Sequence, residues 1–512
     1  MNSRGRARNF AMKRFLLGWL AAMGLLLAAC NEIPPSLPAT EVGDRPTVSP
    51  AARASPGVGQ VETRTPAATA TASSEPEIDP TSLRGVSIQF WHIWAGAAGD
   101  ELQRLVAEFN TANEWGIEVE SVYQGNLDQM NSSVQTALAG GAAPDILVGY
   151  HYQALAWDGL RELVDLSGYV SDPLWGLSPE EQESFYHAFW EQDVFDGKRV
   201  GVPAQRSGQA LYYNVSWARE MGFSTPPVNA EQFRQQACAA AQANRQDADP
   251  GNDGSGGYIL STHYSAMMGW IAAFGGEAAR PEGGYQFDAP AVEESFHFLR
   301  ELYDSGCAWL TESDPPENEF ANRQGLFMAG SVANIPHQVR TFERAGNGDE
   351  WTVIPFPSTL DQPAISVYGP SFALVTSIPE RQLASWLFVR WLLAPQNQAR
   401  LVEETGSYPL SASSLEYLEA YQSNRPQWAA AVELLPAARS EPALQSWSLV
   451  RWAVYDAATQ LFRYYFSIEQ VPDLVKLLDQ TAEDLDSGLS TGFAPSASPT
   501  PSVSVTPAAS SP

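Results

Sequence analysis

Between Val86 and Gly149 the chain switches repeatedly between the period of a strand and the period of a helix, and this leaves few architectures open. Val86-Ser87-Ile88-Gln89-Phe90-Trp91 alternates apolar and polar residues as a strand does. Asp100 is then placed to cap a helix whose Leu102, Leu105, Val106 and Phe109 recur at helical spacing. Ile117–Tyr123 reads as a second strand, and Met130, Val134 and Leu138 mark a second amphipathic helix ending at Gly140-Gly141. Pro144–Gly149 enters a third strand. A β-α-β-α-β run calls for an α/β fold with a mostly parallel sheet and right-handed crossovers. Ligands of such sheets bind outside the carboxyl ends of the strands. Here those ends carry Trp91-His92-Ile93-Trp94, Tyr123-Gln124-Gly125-Asn126 and Tyr150-His151-Tyr152. Rings beside hydrogen-bonding groups suit a sugar, whose flat face stacks while its hydroxyls need fixed polar partners. A single tryptophan reads more simply as core. The coincidence at three strand ends makes Trp91, His92, Trp94, Gln124 and His151 candidate ligand contacts.

The termini have a different character. Arg4, Arg6, Arg8, Lys13 and Arg14 precede the apolar run Phe15–Leu27. That run is too short to cross a ~30 Å hydrocarbon layer, which takes about 20 residues, so residues 1–29 read as a signal peptide. Leu27-Ala28-Ala29-Cys30 resembles a bacterial lipobox, in which Cys30 is acylated and becomes the mature N-terminus; the alternative is an ordinary cysteine at a signal-peptide end. Residues 30–82 are rich in Pro, Ala, Thr and Ser and read as a disordered tether with a span of roughly 40 Å. Residues 494–512 read as a similar tail. The expected location is the extracytoplasmic face of the cell membrane, with contact through the lipid anchor only.

Roughly 410 residues remain, too many for one ordinary core, which points to two lobes. Asp and Glu number 59 against 30 Lys and Arg, a formal net charge of -29. Such a surface excludes nucleic acid as a partner and argues against docking on anionic lipid. Cys238 and Cys307 are an even pair in an exported chain; a disulfide closing about 70 residues would contribute around 4 kcal/mol, and two buried free thiols are the alternative. No metal site is expected, since CxxC is absent and the histidines are scattered. The stretch Asp247–Gly254 fails as a calcium loop, because counting from Asp249 puts Gly251 at position three and Leu260 at position twelve. No GxSxG, HExxH or phosphate-binding loop occurs. The strand ends also lack the two carboxylates, roughly 5–10 Å apart, that a glycosidase needs. No catalytic residue and no cofactor are expected, and a monomer is.

The runs FWHIWAGAAGDELQRLVAEFNTAN, YQGN, ALAGGAAPDILVGY, GVPAQRSGQALYYNVSWAREMGF, GSGGYILS, FGG and GPSFALVTSIPERQLASWLFVRWLLAPQNQARLVEETGSYPL, in this order, resemble family 1 of the extracellular solute-binding proteins. These are the receptors of ABC importers for sugars and glycerol-phosphate compounds, and the resemblance covers Val86–Phe493. It implies a two-lobed periplasmic-binding-protein fold of class II, with helices flanking the sheets, the ligand in the interlobe cleft and ABC permease subunits as partners. Lobe 1 would comprise 86–208 and 370–412, and lobe 2 would comprise 209–369 and 413–493. Crossings are expected near Ser207–Leu211, Gly369–Phe372 and Leu410–Ser414.

The subgroup of glycerol-3-phosphate receptors is resembled through FWH, the YxGN turn, LYYN and TGxxP. It implies ligand contacts at Ser207, at Gly369 and Ser371 of the GPS turn, and at Arg451. Trp270, before FGG, would be a stacking platform of the second lobe or part of its core. The pattern departs at Leu127, where those receptors carry an aromatic, at His151 in place of an acid, and at Ser407 in place of an aromatic, with Tyr408 beside it to substitute. These departures favour a sugar, with glycerol 3-phosphate or a phosphodiester as the alternative. Arg206 and Arg451 would fork onto an anionic ligand or pair with cleft acids. The expected mechanism is hinge closure over the ligand.

Overall fold

The computed structural model describes residues 78–490 except 161–162, 314 and 360–362. The signal segment, Cys30, the tether up to residue 77 and the tail 494–512 lie outside the described residues. Pro80–Leu83 forms a short 3-10 turn with Leu83 buried, so the last residues of the expected tether join the first lobe. Among the described residues no helix is long and apolar enough to cross a membrane.

The alternating pattern folds into β1 (Ser87–His92), α1 (Gly96–Ala112), β2 (Glu118–Tyr123), α2 (Leu127–Gly140) and β3 (Ile146–Gly149). Helix α1 begins one turn before Asp100, opened by a backbone bond from Gly99 to the Ala95 carbonyl. The YQGN turn has a local explanation. Asn126 caps α2, its side chain accepting from the Asp128 and Gln129 N–H groups while Gln129 accepts from the Asn126 N–H, a reciprocal capping box. Gly125 takes a φ of 86°, and a Cβ there would lie 2.0 Å from Gln129 Oε1.

Further along come α3 (His151–Leu160), β4 (Val202–Pro203), β5 (Ser207–Asn214), α4 (Ala230–Gln246), β6 (Gly256–Ile259), α5 (Tyr264–Ala273) and α6 (Pro290–Asp304). They are followed by β7 (Ala308–Trp309), β8 (Gly325–Ser331), β9 (Trp351–Ile354), β10 (Ile365–Tyr368), β11 (Ser371–Leu374), α7 (Pro379–Leu393) and α8 (Pro395–Thr405). The chain ends with β12 (Ala438–Ser440), α9 (Trp447–Leu461) and α10 (Val471–Ser490). The first sheet has the order β2-β1-β3-β11-β4, and the second runs β12-β10-β5-β8-β6-β7 with β9 also on β5. Parallel pairing holds for β1 with β2 and β3, as the alternating pattern requires. Both sheets become mixed where the crossing strands enter, since β11 is antiparallel to β3 and β4, and β10 to β5.

Those crossing strands join the lobes. The β4–β5 segment and the β10–β11 segment run side by side through both sheets: Ser371 is in register with Pro203 in the first sheet, and Tyr368 with Ser207 in the second. The chain passes from the first sheet to the second at 204–206 and back at 369–370, beside the segments where the crossings were expected. A third strand-like contact, from the Tyr408 N–H to the Arg206 carbonyl at 2.8 Å, precedes the passage to β12. Gly369 is needed at the second crossing, because a Cβ there would lie 2.1 Å from the Gln205 carbonyl oxygen.

Apolar side chains fill both faces of the second sheet. Leu211, Tyr213, Tyr258 and Phe327 pack toward α4, α5, α6, α9 and α10, while Ala210, Tyr212, Met328 and Ile365 join a core continuous with that of the first lobe. A disulfide joins Cys238 of α4 to Cys307, a separation of 69 residues. Replacing both cysteines by serine should lower the unfolding free energy by about 3–4 kcal/mol in the loop-entropy picture. Calorimetry of the double variant checks this, and an unchanged melt would show that the bridge restrains nothing.

Candidate functional site

Three crossing segments converge on Arg206, whose guanidinium is fully buried. One terminal nitrogen donates to the carbonyls of Gln205, Gly369 and Pro370 at 3.1, 3.2 and 2.6 Å. The other donates to Asp193 Oδ2 at 2.9 Å, Ser371 Oγ at 2.9 Å and the Phe189 carbonyl at 3.3 Å. Burial pushes the guanidinium pKa down and the Asp193 carboxylate opposes that shift. The Ser371 hydroxyl donates to Asp193 at 2.7 Å. Gly369 and Ser371 thus stand at the junction of the crossing strands, and both terminal nitrogens of Arg206 are engaged there, while its buried Nε has no hydrogen-bond partner. Ser207 is spoken for as well, its Oγ lying 2.9 Å from Ser331 Oγ and accepting from the Ala333 N–H. Tyr408 is buried against Phe189, with ring centroids 6.0 Å apart.

A second cluster draws on both lobes. The residues after β3 supply Tyr150 and Tyr152, whose rings stack at 5.3 Å and 11°. From α9 of the other lobe, Arg451 donates to the Tyr152 hydroxyl and, at 3.4 Å, to that of Tyr264. Its guanidinium carbon lies 4.8 Å from the Tyr152 ring centre and 5.5 Å from that of Tyr264, within cation–π range. Glu441, just after β12, is buried nearby, and that burial raises its pKa to about 7 against the pull of the Arg451 charge. Of this cluster, only Arg451 was singled out in the sequence. Tyr150 and Tyr152 were visible at a strand end, whereas nothing local marks Tyr264 or Glu441.

Two hydrogen bonds beside the cluster tie the lobes, one between His151 and Pro442 and one from Ser440 to Ala188. Pro442 offers its carbonyl 2.9 Å from His151 Nε2, and Gln192 Nε2 lies 3.1 Å from His151 Nδ1. This places the proton on Nε2 and leaves Nδ1 accepting from the amide. Burial lowers the His151 pKa to about 4. The ring is thus a neutral tie between the lobes, with no accessible surface in this structure. Ser440 Oγ donates to the Ala188 carbonyl at 2.7 Å.

At the end of β1, His92 is buried between Trp94 and Tyr123, centroids 6.1 and 6.0 Å away, and burial lowers its pKa to about 4. Neither of its ring nitrogens has a hydrogen-bond partner. Trp94 donates from Nε1 to Gln205 Oε1 at 2.6 Å, reaching the first crossing. Trp91 is half-buried on the other face of β1, its Nε1 on Gln89 Oε1, and Gln124 donates its backbone N–H to the His92 carbonyl. Trp270 is 1% exposed, surrounded by Phe233, Tyr258, Phe298 and Phe356. It is core of the second lobe and offers no ring face to a ligand. The acidic stretch 247–254 closes on itself, with Asp249 N–H on Asp247 and Gly251 N–H on Asp249.

A cavity of about 660 Å³ opens in the first lobe between Phe109, Trp115, Phe185 and Trp391. All four rings belong to one lobe, so closure would not reshape it. Polar groups on its wall are largely bonded internally, Asn113 to the Phe109 and Ile117 carbonyls and Glu181 within its own capping box. The interlobe cluster is the stronger candidate.

Two α/β lobes joined by paired crossing strands, with aromatic and charged groups of both lobes meeting at the seam, define a hinged ligand-binding protein. The chain belongs to the family described as bacterial extracellular solute-binding protein, whose model matches residues 104–437. It is 22% identical over 346 residues to the sn-glycerol-3-phosphate-binding periplasmic protein UgpB of Salmonella typhimurium, covering 65% of this chain and 76% of that one. Among solved structures, the sugar-binding protein MalE of Xanthomonas citri superposes with a TM-score of 0.68 at 19% identity, over 79% of this chain and 98% of that one. UgpB of Mycobacterium tuberculosis in complex with glycerophosphocholine gives 0.62 at 17% identity, over 78% and 98%.

Two predictions follow from the buried charges. Asp193→Asn leaves Arg206 without its counter-charge and should cost about 3–5 kcal/mol of stability; a denaturant melt within 1 kcal/mol of wild type would contradict the hub. Glu441 has an ordinary value of 4.5 raised to about 7 in the fold. Between those values the folded chain holds more protons than the unfolded one, so stability from this group falls as pH rises through the window. His92 and His151, lowered from 6.5 to about 4, act oppositely, gaining stability as pH rises through 4 to 6.5. The stability of Glu441→Gln relative to wild type cancels the histidine contributions and should rise by up to about 3 kcal/mol from pH 5 to pH 8, read by calorimetry at each pH.

Proposed function

We propose that this chain is the capture subunit of an ABC importer and that it closes on a neutral sugar between its lobes. The observation that carries the reading is the cluster of Tyr150, Tyr152, Tyr264, Glu441 and Arg451, assembled from both lobes. The partly exposed Tyr150 ring supplies a face for a pyranose with the buried Tyr152 ring stacked behind it, and the hydroxyls, guanidinium and carboxyl supply donors and acceptors for its hydroxyls. Charge distinguishes the ligand classes. Arg206 is consumed by Asp193, and Arg451 stands beside Glu441, so the cluster holds one cation against one titrating acid. A phosphate needs a surplus of positive charge, which favours the sugar over glycerol 3-phosphate or a phosphodiester. The names of the structural relatives include sugar binders of this kind.

Capture proceeds by rotation about the Arg206 hub. The open and closed forms exchange, the ligand touches both lobes only in the closed form, and binding shifts the population toward it. The closed form would then dock on permease subunits. In this reading Cys30 carries the lipid anchor, the chain works as a monomer outside the cytoplasm, and the ligand leaves unaltered. Glycoside cleavage would need a second carboxylate across the bond; among the described residues the cluster offers Glu441 alone.

Calorimetric titration with mono- and oligosaccharides, glycerol 3-phosphate and glycerophosphocholine tests this. Saccharides should bind, and Arg451→Ala should weaken them at least about tenfold. Binding confined to the phosphates would overturn the neutral-ligand reading, and turnover of any ligand would overturn the receptor reading.

A further inference from the structure

Of the sixteen tryptophans in the sequence, Trp452 alone among the described residues stands as an exposed ring, with 49% of its surface in water. Tryptophan carries the largest apolar surface of any side chain, and leaving half of it wet on a helix gives up burial that the other indoles obtain. Its position supplies a reason. Trp452 follows Arg451 directly on α9, its ring 5.2 Å from that guanidinium and 5.8 Å from the Tyr264 ring. One helical turn on, Tyr455 is 37% exposed, its ring centroid 6.2 Å from that of Trp452. Residues 448, 451, 452 and 455 share one helix face. The aromatic series thus starts with the stack of half-buried Tyr150 on buried Tyr152, continues through Arg451 and Tyr264 at the seam, and ends in two solvent-facing rings on the second lobe.

Resting on the sugar reading above, we propose that Trp452 and Tyr455 form an outer stacking subsite, and that the ligand is an oligosaccharide whose inner unit lies against the partly exposed Tyr150 and Arg451 while further units lie along α9. A monosaccharide held at the cluster would leave the outer rings uncovered. The chemistry of the outer step suits a neutral sugar. Its charged neighbours are the already engaged Arg451 and the exposed Asp456, and a carboxylate accepts from hydroxyls but repels a phosphate.

The test is calorimetric titration of the full chain with malto-, cello-, xylo- and manno-oligosaccharides of one to four units, for wild type, Trp452→Ala, Tyr455→Ala and Trp452→Phe. Both rings are exposed, so the variants should fold, which circular dichroism checks. Affinity should increase with chain length in at least one series. Trp452→Ala should lose about tenfold for three- and four-unit ligands and less than about twofold for the monosaccharide, with Trp452→Phe recovering much of the loss. Equal affinity at all lengths, or an equal loss at all lengths in Trp452→Ala, overturns the outer subsite and leaves the sugar reading standing. If none of the saccharides binds, the sugar reading itself falls, and the subsite with it. Unaltered binding in Trp452→Ala would instead leave the exposed rings as a contact for a protein partner.

Discussion

The buried pair of Arg206 and Asp193 organises the rest of the molecule. Taking two charges out of water is costly, and an isolated buried pair is often no better than an apolar replacement. Here the guanidinium gathers three carbonyls from two crossing strands, a fourth from residue 189 and the Ser371 hydroxyl. The Pro370 carbonyl also accepts from the Ala204 and Gln205 N–H groups and the Ser371 hydroxyl also bonds Asp193, so the guanidinium is one part of a shared polar network in a desolvated place. The return is geometrical: chain segments far apart in sequence meet at fixed relative positions at the point where the lobes join. Rotation of one lobe against the other can then leave the junction intact while the seam opens and shuts.

That hub also decides which charges remain at the seam between the lobes. With one arginine withdrawn into the hinge, the seam keeps Arg451 and the acid beside it. The lobes meet there through tyrosine hydroxyls, a neutral imidazole and a backbone carbonyl, all groups that hydrogen-bond without net charge. A surface as acidic as this one would otherwise disfavour anionic cargo even before it reached the cleft.

The first lobe was legible in the sequence because its order is local. Periodicity placed β1, α1, β2, α2 and β3 within a residue or so, apart from the start of α1, where a glycine-initiated turn needs no side-chain cap. The candidate site was less legible, and for a physical reason. Whether a tryptophan is platform or core depends on what faces it, and Trp270 meets four rings brought by four other segments. His151 was placed correctly at a strand end, but its partner Pro442 is 291 residues away, and no local pattern encodes that distance. Ser371 and Gly369 were singled out through the family resemblance, and their bonds to Arg206 come from a segment 163 to 165 residues away that no local pattern encodes. Glu441 and Tyr264 give no local signal, since a buried acid or a wall tyrosine is defined only by the assembled cleft.

The strap between Cys238 and Cys307 has a consequence for the life history of the molecule. It links the body of α4 to the strand that closes the edge of the second sheet, so it is a late restraint on a region whose core is otherwise made by packing alone. Thiols remain reduced in the cytosol and pair outside it. The edge of the second sheet is therefore fastened only where the surroundings are oxidising.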